Sequence, residues 1–235
     1  HLCRALEARG DQVTGWDCIW RGQSGSGLGD AYFLDYDLHF PGENLVKRLG
    51  NAISQVDQGY HLAGNASVSA YVADPGLMGQ EWVAAAQVIS CCQAAKKPLV
   101  VASSAYALGM TTRWGDRTKY GVTKKVIEDM CWGSGLTGSP VGVGRIFNVY
   151  GPGQEHAVTY TSTVVLNLYR AFKKGDWSLK HPSAQRDFVF IDDAIAGLLK
   201  VMDKTATRAS NDWDIASGEM TTVLALGQAL AALMG

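Results

Sequence analysis

The sequence lacks the features that mark membrane, secreted or nucleic-acid-binding proteins. None of its apolar runs approaches the ~20 residues of a membrane span, and its start has no cationic region followed by an apolar one, as a signal peptide would. The net charge of -1 gives no electrostatic reason to expect nucleic acid or an anionic membrane as a partner. The five cysteines include no C-x-x-C pair, so we expect reduced thiols, no metal site and a cytoplasmic location.

The sequence does contain a regular alternation of strand and helix patterns. Strands are predicted at 12–16, 31–34, 58–63, 98–102, 141–147, 177–180, 186–191 and 213–216, and helices at 1–9, 44–53, 75–95, from Tyr120 onward, and at 162–174, 192–203 and 222–234. The alternation through residue 147 indicates a doubly wound parallel sheet, whose ligands bind beyond the carboxyl ends of the strands. We therefore predict an α/β fold with one domain over residues 1–150 and a smaller lobe over residues 151–235.

The beginning of the sequence is unusual for such a fold. A helical pattern ends at Gly10 and leads directly into the strand that ends at Asp17, with no strand and glycine-rich turn before it. We therefore expect the first strand and its turn to be missing, and the abrupt end of the last helix suggests an incomplete C-terminus as well. The glycine-rich segment 23–29 follows Asp17 instead of preceding it, so we interpret it as a flexible connection rather than a phosphate loop.

Tyr120 and Lys124 form the most informative pair in the sequence. Residues four apart lie on one face of a helix, one turn from each other. A phenol ordinarily titrates near ~10, and a nearby ammonium favours the phenolate and lowers that pKa. The pair could therefore remove a proton from an alcohol at neutral pH, although a chance pair on a helix surface is an equal alternative when the pair is considered alone.

Five stretches, in this order, resemble one known family. They are His61-Leu-Ala-Gly64, Ser103-Ser-Ala-Tyr-Ala-Leu-Gly109, Tyr120-Gly-Val-Thr-Lys124, Gly144-Arg-Ile-Phe-Asn-Val-Tyr-Gly-Pro152 and Gln185-Arg-Asp-Phe-Val-Phe-Ile-Asp-Asp193. Together they resemble the extended short-chain dehydrogenase/reductases, specifically the NAD-dependent nucleotide-sugar epimerase/dehydratase family. The resemblance implies a Rossmann-like dinucleotide-binding domain followed by a substrate-binding lobe, with NAD as the cofactor and a nucleotide-diphosphate sugar as the substrate.

The resemblance also implies a role for each matching residue. The catalytic residues would be Tyr120 as the general base, Lys124, which lowers the pKa of that base and holds the nicotinamide ribose, and Ser104 on the reacting sugar hydroxyl. The cofactor-binding residues would be Asp17, Asp37, Leu38, Leu62, Ala63, Gly64, Ser103, Tyr120, Lys124 and Phe147, and the substrate-binding residues would be Ser104, Asn148 and Arg186. Two of these residues have ordinary alternatives: Asp17 could cap a helix or loop, and Arg186 could be a surface residue paired with Asp187.

The implied reaction is oxidation of a sugar hydroxyl with hydride transfer to NAD. We expect an epimerase, because the Asp-Glu pair of the family's 4,6-dehydratases is replaced here by Ala105 and Tyr106. A dehydratase or reductase of the same family, and a catalytically silent nucleotide-binding relative, remain alternatives. The family also suggests a homodimer formed through the helix after Pro75 and the Tyr120 helix. Trp82 is expected at the place where the family usually has an Asn.

Overall fold

The computed structural model describes residues 1–17, 32–35, 43–109, 118–135, 140–154, 163–207 and 211–234. Its strands are β1 (Thr14–Asp17), β2 (Tyr32–Asp35), β3 (Gly59–His61), β4 (Leu99–Ser104), β5 (Val141–Ile146), β6 (Asn148–Tyr150), β7 (Gln185–Phe190), β8 (Asn211–Ile215) and β9 (Met220–Thr222). Its helices are α1 (Leu2–Ala8), α2 (Glu43–Ser54), α3 (Val68–Ala73), α4 (Leu77–Ala95), α5 (Ala105–Leu108), α6 (Lys119–Gly135), α7 (Val164–Phe172), α8 (Ile191–Thr205) and α9 (Val223–Met234). None of these helices is both long and apolar enough to cross a membrane.

A four-stranded parallel sheet in the order β3-β4-β5-β8 forms the centre of the fold. Strands β1 and β2 form a separate parallel pair, while β6 pairs parallel with β7 and β7 pairs antiparallel with β9. Because the four central strands are parallel, their carboxyl ends lie along one edge, where such folds bind ligands. The predicted α/β fold with a parallel sheet is confirmed.

Strand β4 shows why the sheet is covered by helices on both faces. Leu99 and Val101 are 1% exposed and belong to the core formed with α4 and α6. Val100, which points to the opposite face, is fully buried in the core formed with α1 and α8. A strand that is apolar on both faces fits only the interior of such a layered structure, so the apolar run that begins after Pro98 determines the position of β4.

The chain after residue 150 departs from the prediction in two respects. Strand β8, predicted as part of the smaller lobe, pairs with β5 at the edge of the central sheet. The predicted strand 177–180 is absent from the described structure, and the Trp177 ring instead stacks on Phe172 at a centroid distance of 4.5 Å. The boundary near residue 150 stays a prediction, but the second part of the chain contributes to the sheet of the first.

Candidate active site

The Tyr120–Lys124 pair lies in the interior, at the beginning of α6. Tyr120 is 7% and Lys124 8% exposed, which excludes a chance pair on a helix surface. The Lys124 Nζ lies 5.7 Å from the centroid of the Tyr120 ring. The geometry therefore brings a buried ammonium and a phenol together at the carboxyl end of the sheet, the two groups that a tyrosine general base needs.

Two other tyrosines fix the ring of Tyr120. The Tyr71 ring lies 5.5 Å away at an angle of 57°, and the Tyr106 ring lies 5.5 Å away on edge, at 72°. Tilted and edge-on pairs at this distance are favourable contacts between aromatic rings. Tyr71 is completely buried, whereas Tyr106 is 39% exposed, so the side of Tyr120 that faces Tyr106 is the side closer to solvent.

Ser104 lies at the carboxyl end of β4 and begins α5. Its Oγ accepts a hydrogen bond of 3.4 Å from the backbone N–H of Tyr106, as expected of a serine at a helix N-cap. The same short helix carries the Tyr106 ring to Tyr120. The structure therefore brings Ser104, Tyr120 and Lys124 to one end of the sheet, as predicted from the sequence.

The end of β3 provides an open backbone surface beside Lys124. Leu62, Ala63 and Gly64 are exposed there, and Gly64 has a φ of +147°. A Cβ on Gly64 would lie 3.0 Å from both the Lys124 Nζ and the Glu81 Oε2. Only glycine fits this position without displacing one of these groups. The exposed backbone next to a buried ammonium fits the ribose of a dinucleotide, so the residues present are compatible with NAD.

Glu81 is the residue of this site that the sequence analysis missed. It is 3% exposed on α4, and its Oε2 lies 3.2 Å from the Lys124 Nζ. Its Oε1 accepts a hydrogen bond from the backbone N–H of Asn65. Burial and the nearby Glu81 carboxylate raise the pKa of Tyr71. The position could have been noticed, because Glu81 occurs four residues after Leu77 and four before Ala85, within the apolar stripe of the helix.

Trp82, which the sequence places where the family usually has an Asn, lies on the core side of α4. Its indole N–H donates a hydrogen bond of 3.4 Å to the Thr123 carbonyl, and its ring packs against the core between α4 and α6. The residue that contacts Lys124 from α4 is its neighbour, Glu81. The correspondence of Trp82 with the family's Asn stays a prediction.

Ser103 points away from the open end of the sheet. Its Oγ donates a hydrogen bond of 2.6 Å to the Oε1 of Glu128, a buried residue of α6. Arg145 of β5 holds the same carboxylate with two hydrogen bonds of 2.8 and 2.9 Å, and this contact raises the pKa of Arg145. Any contact of Ser103 with the cofactor would therefore have to involve its backbone, and its side chain serves to attach α6 to the sheet.

Asn148 and Arg186 lie on the paired strands β6 and β7. The Asn148 Nδ2 donates a hydrogen bond of 2.9 Å to the Asp187 carbonyl, while Arg186 is exposed and donates to the Gln185 carbonyl at 2.7 Å. The Asp187 carboxylate accepts three hydrogen bonds from Ser217 and Gly218 instead of pairing with Arg186. The alternative of a surface Arg186–Asp187 pair is thus wrong, and the guanidinium remains exposed to solvent.

The remaining predicted cofactor residues are only partly described. Phe147 follows β5, its backbone N–H donates to the Ile215 carbonyl at 3.1 Å, and its ring is partly buried against the core beneath α8. Asp17 ends β1, where its backbone pairs with that of Asp35. Asp37, Leu38 and the glycine-rich segment 23–29 lie outside the described residues. Within the described ranges, no group of three or more metal-ligating side chains is present.

Comparisons with known proteins agree with this architecture. The model of the NAD dependent epimerase/dehydratase family matches residues 1–216, and the chain belongs to that family. The predicted family is thereby confirmed, and so is NAD as its cofactor. The epimerase, lyase and decarboxylase activities found among relatives are not distinguished by the family match.

Individual relatives are more distant. A dTDP-L-rhamnose 4-epimerase from Burkholderia thailandensis is 34% identical over 119 residues, which cover 49% of this chain and 32% of that protein. A UDP-N-acetyl-alpha-D-glucosaminuronate decarboxylase from Bacillus cytotoxicus is 25% identical over 227 residues, which cover 87% of this chain and 67% of that protein. The chain thus spans about a third to two thirds of the length of these curated relatives.

The crystal structure of a UDP-glucose 4-epimerase with UDP-glucose from Thermotoga maritima has a TM-score of 0.84 with this chain at 20% identity. The alignment covers 100% of this chain and 78% of that one. At this identity the likeness shows the fold alone, which is the predicted Rossmann-like arrangement.

Proposed function

We propose that the chain carries the catalytic centre of an NAD-dependent nucleotide-sugar epimerase. The observation that carries the proposal is the buried Tyr120–Lys124 pair, whose ammonium and phenol ring lie 5.7 Å apart at the carboxyl edge of the sheet. When bound, NAD supplies a hydride acceptor, and later a hydride donor, for one carbon of the sugar. The side chains described here supply the proton chemistry and the orientation.

Each catalytic side chain has one task in this proposal. Tyr120 removes the hydroxyl proton of the sugar, held between two aromatic rings that restrict its orientation. Lys124 places its positive charge beside the Tyr120 ring and donates hydrogen bonds to the nicotinamide ribose. Ser104 donates a hydrogen bond from its hydroxyl to the reacting oxygen, while the same hydroxyl oxygen accepts the backbone N–H of Tyr106 in α5. After the keto sugar has turned over, Tyr120 returns the proton.

The groups around Tyr120 favour epimerisation over dehydration. Elimination of water from the sugar would need a further acid and base next to Ser104, and the side chains there are Ala105 and Tyr106. Tyr106 contacts the base with the edge of its ring and has no carboxylate to offer. We therefore assign Tyr106 to the wall of the sugar pocket, which it can reach because it is 39% exposed.

The substrate in this proposal is a sugar linked to a nucleoside diphosphate. Arg186 is exposed on β7, and a guanidinium can bind two phosphate oxygens at once. Asn148 lies on the neighbouring strand, so both groups can face the same diphosphate. The backbone of Leu62, Ala63 and Gly64, together with Asp17, Asp37, Leu38, Ser103 and Phe147, is proposed to line the cofactor.

A cytoplasmic homodimer completes the proposal. Helices α4 and α6 pack against each other and expose Val83 and Trp132, which are 38% and 46% exposed. Two copies could cover these residues by pairing the same two helices. Sedimentation of the purified chain at several concentrations tests this part separately from the chemistry.

The chemical part of the proposal is tested by incubating the full chain and NAD with UDP-, GDP- and dTDP-sugars and measuring the isomer ratio by NMR. We expect one sugar to reach an epimeric equilibrium. Tyr120→Phe should lower kcat by about 10²–10⁴-fold, the usual contribution of a general base, and leave NAD affinity almost unchanged. Tyr60→Phe is the matched control, since it removes a phenol outside the site. Normal turnover by Tyr120→Phe would show that the mechanism is wrong.

A further inference from the structure

Glu81 has the surroundings of a residue with a specific task. Its carboxylate is 3% exposed, contacts the Lys124 Nζ at 3.2 Å, and accepts the backbone N–H of Asn65 through its other oxygen. Burial and the nearby Glu81 carboxylate raise the pKa of Tyr71, whose ring packs against that of Tyr120. Burying a charged carboxylate costs several kcal/mol of folding free energy unless its partners replace the lost hydration. The contacts on both oxygens of Glu81 are therefore needed to keep it charged in the interior.

The contacts of Glu81 fix where the Lys124 ammonium can lie. A lysine side chain has four rotatable bonds, and its ammonium group carries three N–H donors. One donor is directed to Glu81 by the 3.2 Å contact, and the two others are left to point elsewhere, toward the Tyr120 ring and the exposed backbone at Gly64. Without the Glu81 carboxylate, the Lys124 side chain could rotate more freely about its bonds, and its ammonium would occupy a wider range of positions.

Asn65 and Tyr71 connect this carboxylate to the end of β3. The Tyr71 hydroxyl donates a hydrogen bond of 3.3 Å to the Asn65 carbonyl, while the Asn65 N–H donates to Glu81. The segment that follows Gly64 is therefore attached to the same group as the ammonium. A displacement of Glu81 would move the backbone proposed to line the cofactor together with Lys124.

We propose that Glu81 is a positioning residue, which holds the Lys124 ammonium at the place where it serves both Tyr120 and the nicotinamide ribose. The inference rests on the proposed function, because it needs a cofactor beside Lys124. Glu81→Gln keeps an oxygen that can accept the Asn65 N–H, so the charge that the substitution removes acts on the reaction through Lys124. A buried ion pair with no such task would contribute to folding but would leave cofactor affinity and turnover unaffected when its charge is removed conservatively.

The test is a double-mutant cycle of Glu81→Gln and Lys124→Met in the full chain. Four quantities are measured: the melting temperature without ligand, the NAD dissociation constant by calorimetry, and kcat and KM for the sugar that the wild-type chain converts. We expect Glu81→Gln to weaken NAD binding about tenfold, a coupling common between contacting residues. It should lower kcat by about 10–100-fold, as displacements near 1 Å do, with little change in the KM of the sugar.

The Lys124→Met background decides whether Glu81 acts through Lys124. There, Glu81→Gln should leave NAD affinity within about twofold, because no ammonium remains to be positioned. It should also raise the melting temperature, since it removes a buried carboxylate that has lost its partner. Equal effects of Glu81→Gln in both backgrounds, or an effect on the melting temperature alone, would overturn the inference.

Glu128→Gln is the matched control, because Glu128 is 1% exposed and also paired with a cation, Arg145. This variant should lower the melting temperature and leave NAD affinity within about twofold of wild type. A loss of NAD affinity as large as that of Glu81→Gln would again contradict the inference.

A wild-type chain that binds NAD but converts no nucleotide sugar would refute the proposed function alone, and the affinity cycle would still decide the role of Glu81. Failure of the wild-type chain to bind NAD would overturn both.

Discussion

Asp187→Ala should destabilise the fold more than most single substitutions. Asp187 is 5% exposed, and its carboxylate accepts hydrogen bonds of 2.8 Å from the Ser217 N–H, 2.9 Å from the Ser217 Oγ and 2.7 Å from the Gly218 N–H. Alanine would remove the buried acceptor that these three donors share, at the exposed turn between β8 and β9. A hydrogen bond to a charged group contributes about 1.5–3 kcal/mol. The three share one carboxylate and do not add, so we expect a loss of about 3–5 kcal/mol.

Urea unfolding followed by tryptophan fluorescence measures this loss as a lower midpoint at an unchanged slope. Asp187→Asn keeps one carbonyl oxygen as an acceptor and should lose about half as much free energy of unfolding. Asp176→Ala is the control. Asp176 also accepts a backbone N–H, that of Ser178 at 3.0 Å, but it lies on the surface. The reasoning is refuted if Asp187→Ala shifts the midpoint no further than Asp176→Ala does.

Two further predictions concern β3 and the segment after it. Gly64→Ala should weaken NAD binding at least about tenfold, because the added methyl group would lie 3.0 Å from the buried ion pair and contacts of this kind commonly change free energies by that amount. Calorimetry measures the NAD affinity, and an unchanged affinity would contradict the proposed cofactor surface. Burial raises the pKa of Tyr60 from 10.0 to about 12, because the folded protein favours the neutral phenol. This preference adds to the free energy of unfolding below pH 10, and the contribution is lost as the pH rises towards 12. Its hydroxyl has no hydrogen-bond partner among the described residues, so Tyr60→Phe should stabilise the fold by about 1 kcal/mol at neutral pH and remove this alkaline loss. Urea midpoints at pH 8 and pH 11 measure both effects, and equal alkaline losses in the two proteins would show that Tyr60 is not responsible.

The elements that sequence reasoning predicted well are those whose pattern is set by burial on a large surface. Strand β4 and helix α4 lie in the middle of the fold, and most of their apolar residues are buried in the core. Burial favours an apolar residue at position after position of such a segment, so the sequence shows clearly whether it is a helix or a strand. Only the first and last residues of the element differ from the prediction, by one or two positions. Helix α4, for example, begins at Leu77 rather than at Pro75.

Short elements were missed because they depend on single contacts. Helix α5 is four residues long and begins where Ser104 accepts the N–H of Tyr106, and β9 exists because it pairs with β7. Conversely, the sequence around Trp177 alternates like a strand, but the Trp177 ring packs on the end of α7, and the backbone there has no strand partner in the described structure. Pairing partners far along the chain decide such cases, and a local pattern does not contain them.

The sequence predicted which residues meet at the candidate site, whose chemical roles stay predictions, but it did not predict the residue that supports them. Motif order led to Ser104, Tyr120 and Lys124, which the structure gathers at one end of the sheet. Glu81 was missed because a sequence pattern shows an acid in an apolar stripe without showing its partner, which lies 43 residues further along the chain. Adjacent helix residues such as Glu81 and Trp82 differ by about 100° around the helix axis, so Glu81 contacts Lys124 while Trp82 contacts the Thr123 carbonyl.

The two adjacent serines that end β4 have separate tasks because successive side chains of a strand point to opposite faces. Ser103 binds Glu128 on the helix side, while Ser104 accepts the α5 backbone at the open end. Deleting or inserting one residue between Leu99 and Ser103 would exchange these environments and retain both hydroxyl groups in the sequence. The length of this strand is therefore as strict a requirement for the site as the identity of its residues, and a chain could keep every motif and still lose its active site through a shift of a single residue.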